Sequence, residues 1–379
     1  MISLKHKKDC CGCGACYQIC PKQCIDMRCD VEGFLYPNVD KRVCVDCHLC
    51  EKVCPILHQE KTEDKYLGSI LAKNRSDIRL NSSSGGIFGE LAKVILSSGG
   101  VVFGAAFDNK WMVHHIAIES VQDIPKVMGS KYLQSETQKS FIETKKYLED
   151  GREVLYSGTA CQISGLKAFL RKHYDNLYTV DVLCHGVPSP GIWERYLSSI
   201  SQEYCSDIEA INFRDKISGW HNYSVSIKFC NGDLYSENYE KNKYMNMFLK
   251  DLILRPSCYS CKFKKMERKS DLTIGDAWNI ENVMPELDDD KGTSICITHT
   301  DKGTKILDRI KDSLKMAEIE LDTILAEDAD SRKPVIMPGG RAYLFFAYRH
   351  NANFNALCRT MKNTKKNKLL KKIIRNREN

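Results

Sequence analysis

From residue 66 to 350 the chain alternates short apolar runs with stretches whose apolar residues recur every three or four positions. That rhythm predicts strands interleaved with amphipathic helices, the pattern of an α/β domain. Strands are expected at 101–107, 154–156, 178–183, 272–274 and 294–298. Helices are expected at 86–96, 141–148, 161–170, 192–200 and 245–254. The first of these helices should stop at Gly99-Gly100. Residues 208–239 read as antiparallel strands, because Cys230-Asn231-Gly232-Asp233 holds the Asn-Gly pair that favours a tight hairpin. Positions 1–60 lack the rhythm, and a charged stretch at 58–65 separates the two regions.

Composition and charge narrow the function classes. Hydrophobic residues make up 42% and charged ones 28%, which excludes a mostly disordered chain. The longest uncharged, apolar-leaning run, 94–107, contains Ser-Ser-Gly-Gly and falls short of the roughly 18–20 apolar residues of a membrane span. Positions 1–9 are basic and polar with no apolar h-region, so a cytoplasmic protein without a secretory leader is expected. The formal net charge is +7. Eight cations from Lys362 to Arg377, set against Glu378, account for all of it. The body is therefore neutral and the tail basic, which argues against nucleic acid as a partner. In a helix, Leu369, Leu370, Ile373 and Ile374 would form one stripe among these cations. Contact with an anionic membrane surface is one reading of such a tail, and a solvated or self-packed terminal helix is the favoured one.

The chain has 19 cysteines, and their spacing argues for metal ligation over disulfides. Cys10, Cys13, Cys16 and Cys20 fall as C-x2-C-x2-C-x3-C before Pro21. Cys44, Cys47, Cys50 and Cys54 repeat the same intervals before Pro55, an internal duplication. Three thiolates at this spacing wrap one iron–sulfur cube, and the fourth reaches the other cube. Cys10, Cys13, Cys16 and Cys54 are assigned to one [4Fe–4S] cluster, and Cys44, Cys47, Cys50 and Cys20 to the second. Zinc would favour two separated C-x2-C pairs. Positions 1–60 are therefore expected to form a small bacterial-type ferredoxin domain. Cys11, Cys24 and Cys29 read as bystanders, His48 as a loop residue shading a cluster, and 33–37 as a short aromatic strand covering the cubes.

In the larger region Cys161 follows a strand and a tight turn, Cys184 ends a strand, and Cys258 and Cys261 form a pair. Spacing leaves two readings open: buried free thiols with a zinc or disulfide pair, or a third four-thiolate site. Cys205, Cys230, Cys296 and Cys358 read as core or surface residues. Six ordered strings then carry a resemblance. They are Ser-Ser-Gly-Gly at 83–86, Lys-Tyr-Leu-Gln-Ser at 131–135, Leu-Tyr-Ser-Gly-Thr-Ala-Cys-Gln-Ile-Ser-Gly at 155–165, Asp-Val-Leu-Cys-His-Gly-Val-Pro-Ser-Pro at 181–190, Arg-Pro-Ser-Cys-Tyr-Ser-Cys-Lys-Phe-Lys at 255–264, and Arg-Lys-Ser-Asp-Leu-Thr-Ile-Gly-Asp at 268–276. Together they resemble the coenzyme F-420 hydrogenase/dehydrogenase beta-subunit family, in its bacterial branch with an N-terminal two-cluster ferredoxin domain. Ala160 and Ala277-Trp278-Asn279 depart from the family's usual strings.

The resemblance implies a third [4Fe–4S] cluster on Cys161, Cys184, Cys258 and Cys261, and it implies FAD. Ser83, Ser84, Gly85 and Gly86 would open a helix onto the pyrophosphate, joined by Gly158 and Thr159. Lys131 would lie near the flavin N1–C2=O locus. The expected architecture is α+β or α/β: a ferredoxin domain at 1–60, a mixed α/β flavin domain at 66–350 and a basic tail at 360–379. The expected function is a ferredoxin- or deazaflavin-linked oxidoreductase. Ferredoxin or another redox protein would be its partner and a small organic molecule its substrate, with surface-polysaccharide synthesis as one setting. The alternative is a non-catalytic electron-transfer subunit. No acid or base stands out among His115, His185 and His221.

Overall fold

The computed structural model describes residues 1–59, 66–325 and 332–361. The basic tail, from 362 on, lies outside the described residues. Among the described residues no helix is long and apolar enough to cross a membrane.

An eight-stranded mixed sheet organises the larger region. Its strands are β3 (Gly68–Asn74), β4 (Val101–Phe107), β5 (Val113–Ile118), β6 (Val154–Thr159), β7 (Leu177–Val182), β11 (Leu272–Asp276), β12 (Ser294–Thr298) and β13 (Leu314–Glu318), in the order β13-β3-β12-β11-β7-β6-β4-β5. The centre, β11-β7-β6-β4, is parallel, and β12, β3, β13 and β5 add antiparallel flanks. Central strands buried on both faces should be continuously apolar, and Val101, Val102, Phe103, Val154, Leu155 and Tyr156 are all fully buried. Helices Ile87–Ser97 and Ala160–Leu170 cover the sheet. The second starts cleanly, because Thr159 and Gln162 form a reciprocal capping box that satisfies otherwise free N–H groups.

A three-stranded antiparallel sheet joins β8 (Ile208–Asp215), β9 (Ser224–Phe229) and β10 (Leu234–Asn238), with the expected hairpin between the last two. The helix expected at 245–254 is shorter, running Lys243–Leu249. Asp251 adopts a left-handed φ of 58°, which stops the helix and turns the chain toward Arg255. The large region also extends past 350. The helix Phe354–Thr360 buries Phe354 and Leu357 in the main apolar core.

The N-terminal segment has one hairpin, β1 (Ile25–Cys29) with β2 (Leu35–Val39), and two single-turn helices. Its own buried core is only Ile2, Cys24, Ile25 and Cys50. So small a core is expected to depend on bound metal and on packing against the larger region. The aromatic strand expected to cover the cubes does something else. Phe34 is fully buried in the core of the larger region, 6.3 Å from the ring of Phe345. Tyr36 lies under the guanidinium of Arg255, at 4.1 Å. The segment is clamped on by buried polar contacts, among them Arg341 with Glu32, Thr137 to the Cys13 carbonyl and the Phe141 N–H to Gln18.

Candidate redox site

The two N-terminal loops fold alike and exchange their last cysteines. Gly12 and Gly14 take left-handed φ angles of 74° and 79°, and Asp46 and His48, at the matching positions of the second loop, take 50° and 60°. Asp and His tolerate this conformation better than most residues, so the duplication survives without its glycines. His48 bonds Glu51 at 2.5 Å and is exposed. Cys16 feels Cys10, Cys54 and Cys50, and Cys13 feels Cys11, Cys16 and Cys10. Cys20, Cys44, Cys47 and Cys50 line one small cleft. The structure thus brings together both expected sets, each with one cysteine from the other loop. Cys24 is nearer than a bystander should be, with its sulfur 3.4 Å from that of Cys20. Cys29 is exposed.

The separated cysteines of the larger region also converge. Cys184 sits beside Cys258, Cys161 and Cys261, and burial followed by these three neighbours pushes its thiol upward. Cys258 is pushed up to about 12, burial leading and Cys261 and Cys161 contributing. Backbone N–H groups of Val187 and Phe263 reach the sulfurs of Cys258 and Cys261 at 3.5 and 3.4 Å. Four half-buried thiols that oppose one another's ionisation, two of them already supplied with N–H···S contacts, suit a cationic iron–sulfur core that draws off the negative charge. Cys11 is the surprise: its thiol touches both Cys13 and Cys161, so it lies between the outer and inner groups.

Beside the inner group opens a cavity of about 460 Å³. It sits at the carboxyl ends of β6, β7 and β11, where ligands bind in open α/β sheets. Cys161 and Cys184 form part of its wall. Ser83, Ser84, Gly86, Lys131, Gly158 and Thr159 line it as well; Gly85 does not. Gly85 is pressed against β3 and β12, where a Cβ would lie 2.3 Å from the Ala72 carbonyl oxygen, and its N–H is taken by Ser294 at 2.8 Å. The Ser84 hydroxyl is likewise engaged, by the Thr293 carbonyl. What the loop leaves for a ligand is the free N–H end of helix Ile87–Ser97, started by Gly86 at φ 84°. Lys131 donates to the Met128 and Gly129 carbonyls, and burial lowers its pKa to about 7. His115 bridges Ser135 and the Ser157 carbonyl, and burial holds it neutral, with a pKa of about 4. His185 pairs with Asp251 at 2.7 Å. His221 pairs with Asp288 away from the cavity.

The end of β8 and the loop that follows it gave no signal in the sequence. Arg214, 3% exposed, pairs with Asp276 and stacks against Tyr223 and Trp278 at the cavity wall. Lys216 donates to the carbonyls of Arg79, Ser84 and Lys291, and Trp220 to that of Ser83. These two residues hold the Ser82–Gly86 turn in place. Their contacts with that turn span over a hundred positions, which periodicity cannot register.

The family described as coenzyme F420 hydrogenase/dehydrogenase, carboxyl terminus of the beta subunit, matches residues 151–323. Residues 151–323, a little under half of the chain, thus carry the match to this family. The match includes Cys161, Cys184, Cys258 and Cys261. The F subunit of the F(420)H(2) dehydrogenase from Methanosarcina mazei is 23% identical over 137 residues, covering 32% of this chain and 38% of that protein. The alignment thus spans well under half of that relative. Ferredoxin 7Fe of Hydrogenibacillus schlegelii is 36% identical over 64 residues, 16% of this chain and 74% of the ferredoxin. Iron–sulfur clusters are thereby supported for the cysteine-rich part of this chain. A chain of the F420-reducing [NiFe] hydrogenase complex from Methanosarcina barkeri, solved as a xenon derivative, is similar at 17% identity. Its TM-score is 0.47, with 71% of this chain and 90% of that one covered.

Proposed function

We propose that this protein is an iron–sulfur flavoprotein oxidoreductase working between a redox protein and an organic acceptor. Bound in the three cysteine groups and the cavity, clusters would exchange single electrons and FAD would pair them for the acceptor. The observation that carries the reading is the shared wall: Cys161 and Cys184 line the cavity that also receives the N-terminal end of helix Ile87–Ser97. That helix end offers backbone N–H groups and a favourable dipole to a pyrophosphate. Gly158 and Thr159 let backbone approach the ligand closely, and Lys131 contributes positive charge to the anion it faces. His115, neutral and bonded on both ring nitrogens, orients the Ser157–Thr159 turn. Arg214 and Trp278 form another part of the wall.

The test is cofactor content after anaerobic purification and incubation with FAD. About one flavin per chain is expected for a single cavity of this size. Gly158→Val, which adds bulk where a Cβ already lies 3.1 Å from Gln162, should reduce flavin occupancy without reducing iron. An unmodified protein with full iron that never retains flavin would instead favour a subunit that only conducts electrons.

A further inference from the structure

Five arginines are buried among the described residues: Arg79, Arg214, Arg255, Arg268 and Arg341. Four of them face a carboxylate: Asp289, Asp276, Asp181 and Glu32 respectively. Arg255 is the most deeply buried, at 0% exposure, and no described carboxylate lies within ion-pairing distance of it. Its Nε donates to the Cys10 carbonyl at 2.8 Å, and its two Nη groups to Gln134 Oε1 at 2.9 Å and the Leu35 carbonyl at 3.0 Å. Tyr36 and Phe34 offer ring faces at 4.1 and 5.6 Å. All of these partners are neutral, and a buried charge without a counter-charge is strongly disfavoured.

The anionic groups within reach are sulfur. Cys10 and Cys11 of the outer loop and Cys258, further along the arginine's own turn, are its cysteine neighbours. Gly12 lies flat against the guanidinium, where a Cβ would come within 3.1 Å of its central carbon. The Arg255 backbone is tied to the inner group, since its N–H bonds the Val187 carbonyl and its carbonyl accepts from the Cys258 N–H, while its side chain reaches the outer loop at the Cys10 carbonyl. A four-thiolate iron–sulfur cluster is a net anion and becomes more so on reduction, and nearby charge is one determinant of its potential.

We propose that Arg255 is the shared counter-cation of the outer group Cys10, Cys13, Cys16 and Cys54 and the inner group Cys161, Cys184, Cys258 and Cys261. It is a positioning residue that makes both sites easier to reduce and matches them across the domain interface. The remote group, Cys20, Cys44, Cys47 and Cys50, lies outside its reach. The proposal rests on the reading of these groups as cluster sites.

The test is an EPR-monitored redox titration of the full chain, unmodified and as Arg255→Gln and Arg255→Lys, with iron counted in each. In Arg255→Gln with full iron, the outer and inner centres should drop in potential by at least about 59 mV, a tenfold change in the ratio for a one-electron couple. The remote centre should not move, and Arg255→Lys should restore most of the shift. Unchanged potentials, or an equal shift of all three, would overturn the proposal. If Arg255→Gln fails to fold, Arg255→Met, which keeps an unbranched stem and removes the charge, is read in the same way: a drop at the outer and inner centres alone supports the proposal, and unchanged potentials defeat it. Absence of iron from the inner group in unmodified protein would refute the cluster reading itself, a result separate from these.

Discussion

The two regions of the molecule assemble cysteine sites by opposite means. Between positions 1 and 59 the ligands come from sequence neighbours, and the fold around them is hardly more than the cysteines. Cys24 and Cys50 make up half of the buried core there, beside Ile2 and Ile25. In the larger region an extensive sheet and its covering helices have large apolar cores of their own. That frame brings Cys161, Cys184 and the Cys258–Cys261 pair to the ends of its central strands. The first region is expected to need its metal to fold; the other would build its metal site on a finished scaffold.

The largest expected effect breaks that contrast directly. Replacing Cys13 and Cys47 with serine should leave the N-terminal segment open to protease while the sheet region stays resistant. Equal resistance of both regions, with full iron, would show that the segment does not need its clusters. Next comes the clamp between the regions. Arg341→Ala strands Glu32, a buried carboxylate 2.5 Å from the guanidinium. Breaking such a pair costs about 3–5 kcal/mol, measurable by denaturant unfolding. A loss below about 1 kcal/mol would put the pair in the class of exposed ion pairs.

The smallest effect is a pH dependence confined to the cavity. Burial lowers the Lys131 pKa to about 7, so the side chain is cationic below that pH and increasingly neutral above it. Affinity for an anionic cofactor should therefore weaken as pH rises from 6 to 8. Lys131→Met should bind more weakly at pH 6 and show a shallower slope. Lys216, also lowered to about 7 and bonded to the Ser84 carbonyl, supplies the remaining dependence. His115, with its pKa near 4, contributes none. An unchanged slope in Lys131→Met would remove this lysine from the site.

The same contrast explains what could be read from the sequence. Strands at 101–107 and 294–298 and the hairpin after Phe229 were legible because periodicity and an Asn-Gly turn are local signals. The eight N-terminal cysteines were legible for the same reason. For the inner four, spacing left buried thiols and a third site both open, and only the resemblance favoured the site, because their convergence depends on parallel strands meeting across long stretches of chain. Gly85 shows the limit within a motif: it shares the Ser82–Gly86 loop but faces β3 and β12. Phe34 and Tyr36 were apolar enough to cover something, yet nothing in their spacing said that the cover was Arg255 and Phe345. Cys11 and Cys24 fell outside the repeat, so only the packed structure reveals that each touches a ligand position.

The central claim is that one chain carries three four-cysteine iron–sulfur sites, the third at the cavity wall. Iron per chain in anaerobically reconstituted protein tests it most directly, measured side by side on the unmodified protein and Cys258→Ser. Three cubes require about 12 iron atoms in the first and about 8 in the second. About 8 in both would contradict the account, because Cys258 would then hold no iron and the inner thiols would be only half-buried cysteines.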